Sequence, residues 1–236
     1  PDWAAFRAQL ARELDEHEPD TERQMDVMRE AHHAQVFRLL AQDLGGMLAL
    51  EKLSDHLSEL ADIMLDLALR LVWRKLLKRH REEPQFAVVA YGKLGGKELG
   101  YASDLDIIFL FDDDHPDAPE IYARLAQRIH TWISSATPAG ILFQTDLRLR
   151  PNGESGLLVS SVAAFRQYQM ESAWVWEHQA LTRARFSAGD AGIGRQLRLV
   201  VADLAHPFGA ATLKKLQVIG VIDDPAGIGI LVINAD

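Results

Sequence analysis

Apolar positions along the chain follow helical spacing up to about residue 83, then change to short continuous runs after Pro84. Trp3, Phe6, Leu10 and Leu14 fall at i, i+3, i+7 and i+11, one face of a helix. The polar stretch Glu16 to Glu22, which contains Pro19, ends that pattern. A second helix is predicted to carry Met25, Met28, Val36, Leu39 and Leu40 and to stop near Gly45-Gly46. A third is predicted to start near Ser54 as its N-cap, with Leu57, Leu60, Met64, Leu67 and Leu71 in one stripe. Its basic end, Arg74 to Arg81, suits the negative pole of a helix dipole and is read as a solvated terminus.

Beyond Pro84 the pattern reads strand, turn, strand, helix, strand. Phe86 to Ala90 is an apolar run, Gly92, Gly95, Gly96 and Gly100 mark a turn, and Ile107 to Phe111 is a second apolar run. Asp117 and Glu120 have capping-box spacing, with Pro119 in the first turn of a helix that aligns Ile121, Leu125, Ile129, Trp132 and Ile133. After a turn at Thr137 to Gly140, Ile141 to Arg150 reads as a strand: Ile141, Phe143, Thr145, Leu147 and Leu149 point one way, with Leu142 the apolar exception on the polar face. Two further helices are expected at about Val162 to Gln169 and Glu171 to Arg185. Leu216 to Ile222 and Ile228 to Ile233, flanking Asp224-Pro225-Ala226-Gly227, read as a hairpin.

Composition narrows the setting. The 236 residues are 48% hydrophobic and 25% charged, enough for one large domain or two small ones with proper cores. A formal charge of −9 argues against a nucleic-acid partner. The absence of cysteine excludes disulfides and thiolate metal sites. There is neither an apolar stretch of membrane-spanning length nor a signal-peptide pattern, so a soluble, cytoplasmic protein without membrane contact is expected. The start at Pro1 suggests a piece of a longer chain.

The chemistry concentrates around the second strand. Asp104 and Asp106 stand two residues apart, so on an extended strand both carboxylates project to one side. Such carboxylates suit hard divalent ions that also take phosphate oxygens, and pairs of such ions lie roughly 3.5–4 Å apart. A third carboxylate from another strand usually completes the site, and Asp146 is the candidate, on one face with Arg148 and Arg150. Gly92 permits close backbone approach to phosphates, Lys93 adds a charge and Ser103 a hydroxyl. The glycine order is neither a Walker A loop nor a dinucleotide fingerprint. Strand, glycine turn and paired carboxylates together suggest nucleotidyl transfer. The run Asp112 to Asp114 is read as a solvated loop, His32-His33 as surface histidines, and the cluster Trp174, Trp176, Glu177, His178 as core rather than a stacking platform.

At this level of detail the chain resembles a known family. YGKLGGKELGYASDLDIIFLFD, then GILFQTDLRLRPNGESGLLV and ESAWVWEHQALTRAR, are similar to bacterial glutamine synthetase adenylyltransferase, over roughly residues 30 to 190. That family is bifunctional, with two related nucleotidyltransferase domains, one attaching AMP to a tyrosine of glutamine synthetase and one removing it by phosphorolysis. The wording here is closer to the attaching, C-terminal half. The resemblance implies an α+β fold of the DNA polymerase β-like nucleotidyltransferase type, a small mixed sheet with helices preceded by a helical segment. Residues 1–83 would be a helical linker or regulatory segment, 84–190 the catalytic domain and 191–236 a tail without a counterpart in the resemblance. The implied reaction moves AMP from ATP to a tyrosine hydroxyl and releases pyrophosphate, with two magnesium ions. Asp104, Asp106 and Asp146 would be the catalytic and metal-binding residues, and Gly92, Lys93, Ser103, Arg148 and Arg150 would bind nucleotide. The implied partners are glutamine synthetase as substrate and a PII-type signal protein. The alternatives are the adenylyl-removing activity and a non-catalytic regulatory fragment.

Overall fold

The computed structural model describes residues 1–205, 217–224 and 227–233. The helical segment comprises α1 (Trp3–Glu16), α2 (Thr21–Leu44) and α3 (Leu50–Lys75). Asp2 and Asp20 cap the first two by accepting hydrogen bonds from the Ala5 and Arg23 amides, each at 3.0 Å. The third begins earlier than predicted, with Ala49 at its N-cap and Ser54 inside the first turns. Leu53 explains the shift: it is buried in line with Leu57, Leu60, Met64, Leu67 and Leu71, so the apolar stripe starts one turn sooner.

The sheet is built from β1 (Phe86–Ala90), β2 (Leu105–Phe111), β3 (Thr145–Asp146), β4 (Val159–Ser161) and β5 (Arg185–Gly189). Its order is β3-β2-β1-β5, with β4 also paired to β2. The β1 strand is antiparallel to both neighbours, whereas β3 and β4 run parallel to β2. The fold is therefore α+β around a small mixed sheet, preceded by a helical segment. Because β1 is apolar throughout and β2 at every position but Asp106, the two strands are buried on both faces apart from that aspartate. Phe86, Val88, Ile107 and Phe109 pack with α3 and α5 (Ala118–Ser134) in one core. Ala87, Val89, Ile108 and Leu110 belong to a second core with Phe165 of α6 (Val162–Glu171), Leu181 of α7 (Val175–Leu181) and Ile193, Leu197 and Val200 of α8 (Ala191–Ala205).

Several local expectations change. The Asp117 side chain makes no cap bond, because its backbone sits at φ −89° and ψ 1° rather than extended, although Pro119 does occupy the first turn. The strand expected over Ile141 to Arg150 shrinks to the two residues of β3. Leu142 and Phe143 are both buried and the Phe143 amide donates to the Ile133 carbonyl at 3.0 Å, which breaks the alternation. The helix expected to reach Arg185 ends at Leu181, and Arg185 opens β5 instead. The signal for α8 was present in the helical spacing of Ile193, Leu197, Val200 and Leu204, all buried. The hairpin expectation holds: β6 (Gln217–Asp224) pairs antiparallel with β7 (Gly227–Ile233), although Pro225 and Ala226 of its turn lie outside the described residues. Among the described residues no helix is long and apolar enough to cross a membrane.

Candidate active site

The β1–β2 hairpin and the short β3 bring the acidic residues together. Residue Asp106 is in register with Asp146 on the adjacent parallel strand, and Asp104 lies two residues before Asp106. The turn after β1 is a single helical turn, α4 (Gly92–Gly95), anchored where the Tyr91 amide donates to the Asp106 carbonyl at 2.8 Å. Gly92 has φ +51°, and a side chain there would overlap the Asp106 carboxylate. The glycine expected to let a ligand approach thus first lets the turn close onto the aspartate.

Electrostatics confirm the crowding. Burial, then the neighbouring Asp104 and Asp146, pushes the Asp106 carboxyl above the ordinary carboxylate range, while Arg148 and Lys93 oppose the shift. Asp146 is held below that range, chiefly by hydrogen bonds from Arg148. The Arg148 Nε lies 2.8 Å from Asp146 Oδ2, its amide donates to Oδ1 at 2.8 Å, and a second guanidinium nitrogen completes a fork. Asp104, Asp146, Arg148, Arg150, His130 and Glu154 line an open cleft of about 600 Å3. His130 and Glu154 are members that the sequence pattern did not single out, since neither falls in register with the aspartates on a strand.

The other expected nucleotide-binding residues divide. Lys93 is exposed and acts electrostatically on Asp106. The Ser103 hydroxyl accepts the Gly100 amide at 3.0 Å, and Ser103 lines an adjoining cleft of about 280 Å3 with His32, Tyr101 and Phe143. The Arg150 guanidinium donates to the Leu147, Glu154 and Gly156 carbonyls at 2.7, 2.9 and 3.4 Å, bracing the rim of the cleft from within. Arg148 is the exposed cation of the pair.

Three weaker expectations change as well. Asp113 is no solvated loop residue: its side chain is fully buried and meets His80, Arg81 and Tyr122. His32 is largely buried against Phe143, and desolvation lowers its pKa to about 4. Trp174 and Trp176 are exposed rather than core, at 71% and 53%, whereas Glu177 is buried between the Tyr168 hydroxyl and the Trp174 amide.

A metal would meet an oxygen-only donor set. Among the described residues no group of three or more His, Cys, Asp or Glu side chains stands ready to hold an ion by protein ligands alone. Asp146 is turned onto Arg148. Repulsion from Asp104 and Asp146, which adds to burial in raising Asp106, is nevertheless what a divalent cation would relieve, so Asp104, Asp106 and Asp146 fit a hard ion that completes its shell with water or phosphate oxygens.

A mixed sheet with a glycine turn closed on one of several neighbouring strand carboxylates is the arrangement of a nucleotidyltransferase-type fold. A family profile described as glutamate-ammonia ligase adenylyltransferase matches residues 1–199, and the chain belongs to that family. The match takes in the whole helical segment and extends beyond the residues 30 to 190 that carry the resemblance in sequence. Proteins named bifunctional glutamine synthetase adenylyltransferase/adenylyl-removing enzyme are similar to it. That of Aromatoleum aromaticum is 75% identical over 194 residues, covering 82% of this chain and 21% of the relative. That of Chromobacterium violaceum is 65% identical over 196 residues, covering 83% and 22%. That of Nitrosomonas europaea is 64% identical over 222 residues, covering 91% and 24%. The chain thus spans between a fifth and a quarter of the length of these relatives.

Proposed function

We propose that the chain transfers AMP from ATP to a tyrosine hydroxyl of glutamine synthetase and releases pyrophosphate, with residues 84–190 as its catalytic unit. The observation that carries this reading is the register of Asp106 with Asp146, beside Asp104 and against the Gly92 turn. The relatives' names supply the substrate. Residues 1–83 would act as a linker or regulatory segment, residues 191–236 as an appended tail, and the setting would be cytoplasmic, with a PII-type signal protein as regulator.

Asp104, Asp106 and Asp146 would hold magnesium, two ions on this reading, which supplies charge neutralisation on the triphosphate. The protein's own share is placement. The Gly92 turn and Lys93 would bind the outgoing phosphates, and Ser103 would keep the loop before Asp104 in shape. The tyrosine oxygen would attack the α-phosphorus as the bond to the β-phosphate oxygen breaks. While Arg148 holds Asp146, that carboxylate is a poor proton acceptor. Arg148 moving onto a phosphate oxygen would release Asp146 to orient the hydroxyl and take its proton, with Arg150 holding the loop that carries both.

Asp104→Asn combined with Asp106→Asn is expected to abolish AMP transfer to glutamine synthetase while leaving the circular dichroism spectrum unchanged. Wild-type turnover in that variant would remove the proposal. The bifunctional naming of the relatives favours a second reading, adenylyl removal, which predicts ADP release from adenylylated glutamine synthetase and phosphate. Assaying both directions with one preparation separates the two.

A further inference from the structure

Behind the candidate site, an ion pair links the helical segment to the glycine turn. Asp62 of α3 receives the two terminal nitrogens of Arg185 at 2.8 and 3.1 Å, and the Ser187 hydroxyl at 2.5 Å. That fork leaves the Arg185 Nε free to donate to the Leu94 carbonyl at 3.1 Å, inside the turn that begins with Gly92. The two side chains are only 21% and 18% exposed, so the pair is shielded from water. A planar guanidinium can hold a carboxylate with two arms and a carbonyl with its third, which an ammonium cannot do in one fixed geometry. The turn has no slack on this side, because a side chain at Gly95 would run into the Arg183 carbonyl. On the opposite side Gly92 touches the Asp106 carboxylate. The turn is therefore clamped between Asp106 and Arg185.

We infer that Arg185, locked by Asp62, is a positioning residue: through Leu94 it presses the Gly92–Gly95 turn against Asp106 and so sets where that carboxylate points. The inference rests on the proposed nucleotidyl transfer. The pair between the Arg183 and Glu98 side chains lies nearby, yet both are about half exposed and solvent screens it. Coupling to the site belongs to the shielded pair.

The test compares Arg185→Lys, Asp62→Asn and, as a control, Glu98→Gln in the 236-residue chain. Thermal unfolding, the KM for ATP with magnesium and kcat for transfer are measured well below the melting temperature. Arg185→Lys keeps the charge and Asp62→Asn keeps the shape, so one of them is read even where the other fails to fold. Each is expected to raise the KM for ATP or lower kcat on the order of tenfold in the folded protein, whereas Glu98→Gln leaves both unchanged. Lower melting temperatures with wild-type KM and kcat would overturn the inference, since a merely structural brace changes only stability. A wild-type chain with neither transfer nor ATP binding would overturn the underlying reading and the inference with it; wild-type transfer with unaffected variants overturns the inference alone.

Discussion

Gly92 combines a left-handed backbone with contact against the Asp106 carboxylate, so Gly92→Ala meets two penalties. The backbone conformation alone costs about 1–2 kcal/mol for a residue with a β-carbon, and the overlap has to displace the aspartate. The variant is expected to stay folded with a lowered melting temperature and to lose transfer by on the order of 100-fold. Asp113 supports a different prediction. Burial opposes its charge, but hydrogen bonds from Tyr122, the His115 amide and His80 outweigh that and hold the carboxyl at about 2. Because the folded value lies below the ordinary one, the stabilisation is present above the ordinary carboxylate range and disappears as the pH falls through about 2. It amounts to on the order of 2 kcal/mol. The urea-midpoint difference between wild type and Asp113→Asn should therefore narrow steadily from pH 5 to pH 2. A constant difference would show that the buried charge contributes nothing. Both residues were visible in the sequence, but only one as a candidate. An acidic run looks solvated until the fold places Tyr122 above its middle member.

Among the elements, α2 is tied to the end of α5 by one buried cation. The Arg29 side chain, wholly enclosed, donates to the Met25, Trp132, Ser135 and Gly140 carbonyls at 2.7 to 2.9 Å. Two of these, Trp132 and Ser135, lie at the α5 C-terminus, where carbonyls lack helix partners and the dipole favours a cation. Gly140 lies in the loop leading to β3 and Asp146. Arg29→Ala should leave several carbonyls unpaired and cost on the order of 3 kcal/mol, read as a lowered denaturation midpoint. A loss within the range of ordinary surface substitutions would contradict the clamp. Helical periodicity placed α2 correctly, yet it had no means of marking Arg29 as special, because three of its four partners lie more than a hundred positions away. The shortness of β3 has a local cause. The alternation read over Ile141 to Arg150 fails at Leu142 and Phe143, both buried, and Arg150 draws three carbonyls around itself and curls the chain out of the sheet.

For the whole molecule, the proposed reaction predicts that binding of ATP and magnesium stabilises the folded state. With ATP and magnesium at a hundred times the dissociation constant, the gain is about 2.7 kcal/mol, enough to raise the melting temperature by several degrees in a chain of this size. Chelating the metal should abolish most of that rise. An equal rise with chelator, or in the Asp104→Asn/Asp106→Asn variant, would separate ATP binding from these carboxylates. Local physical chemistry in the sequence determined the elements whose signal lies within a few residues: the three long helices, the two apolar strands, the glycine turn, and Asp104 beside Asp106. The tertiary structure alone decided which groups meet and which are buried. It set Asp146 against Asp106, turned Asp146 onto Arg148, engaged Arg150 with backbone carbonyls, exposed Trp174 and Trp176, and ran Arg185 from Asp62 to the back of the glycine turn. Periodicity reports how one residue relates to its neighbours along the chain, whereas charge pairing and burial depend on what the completed fold brings alongside.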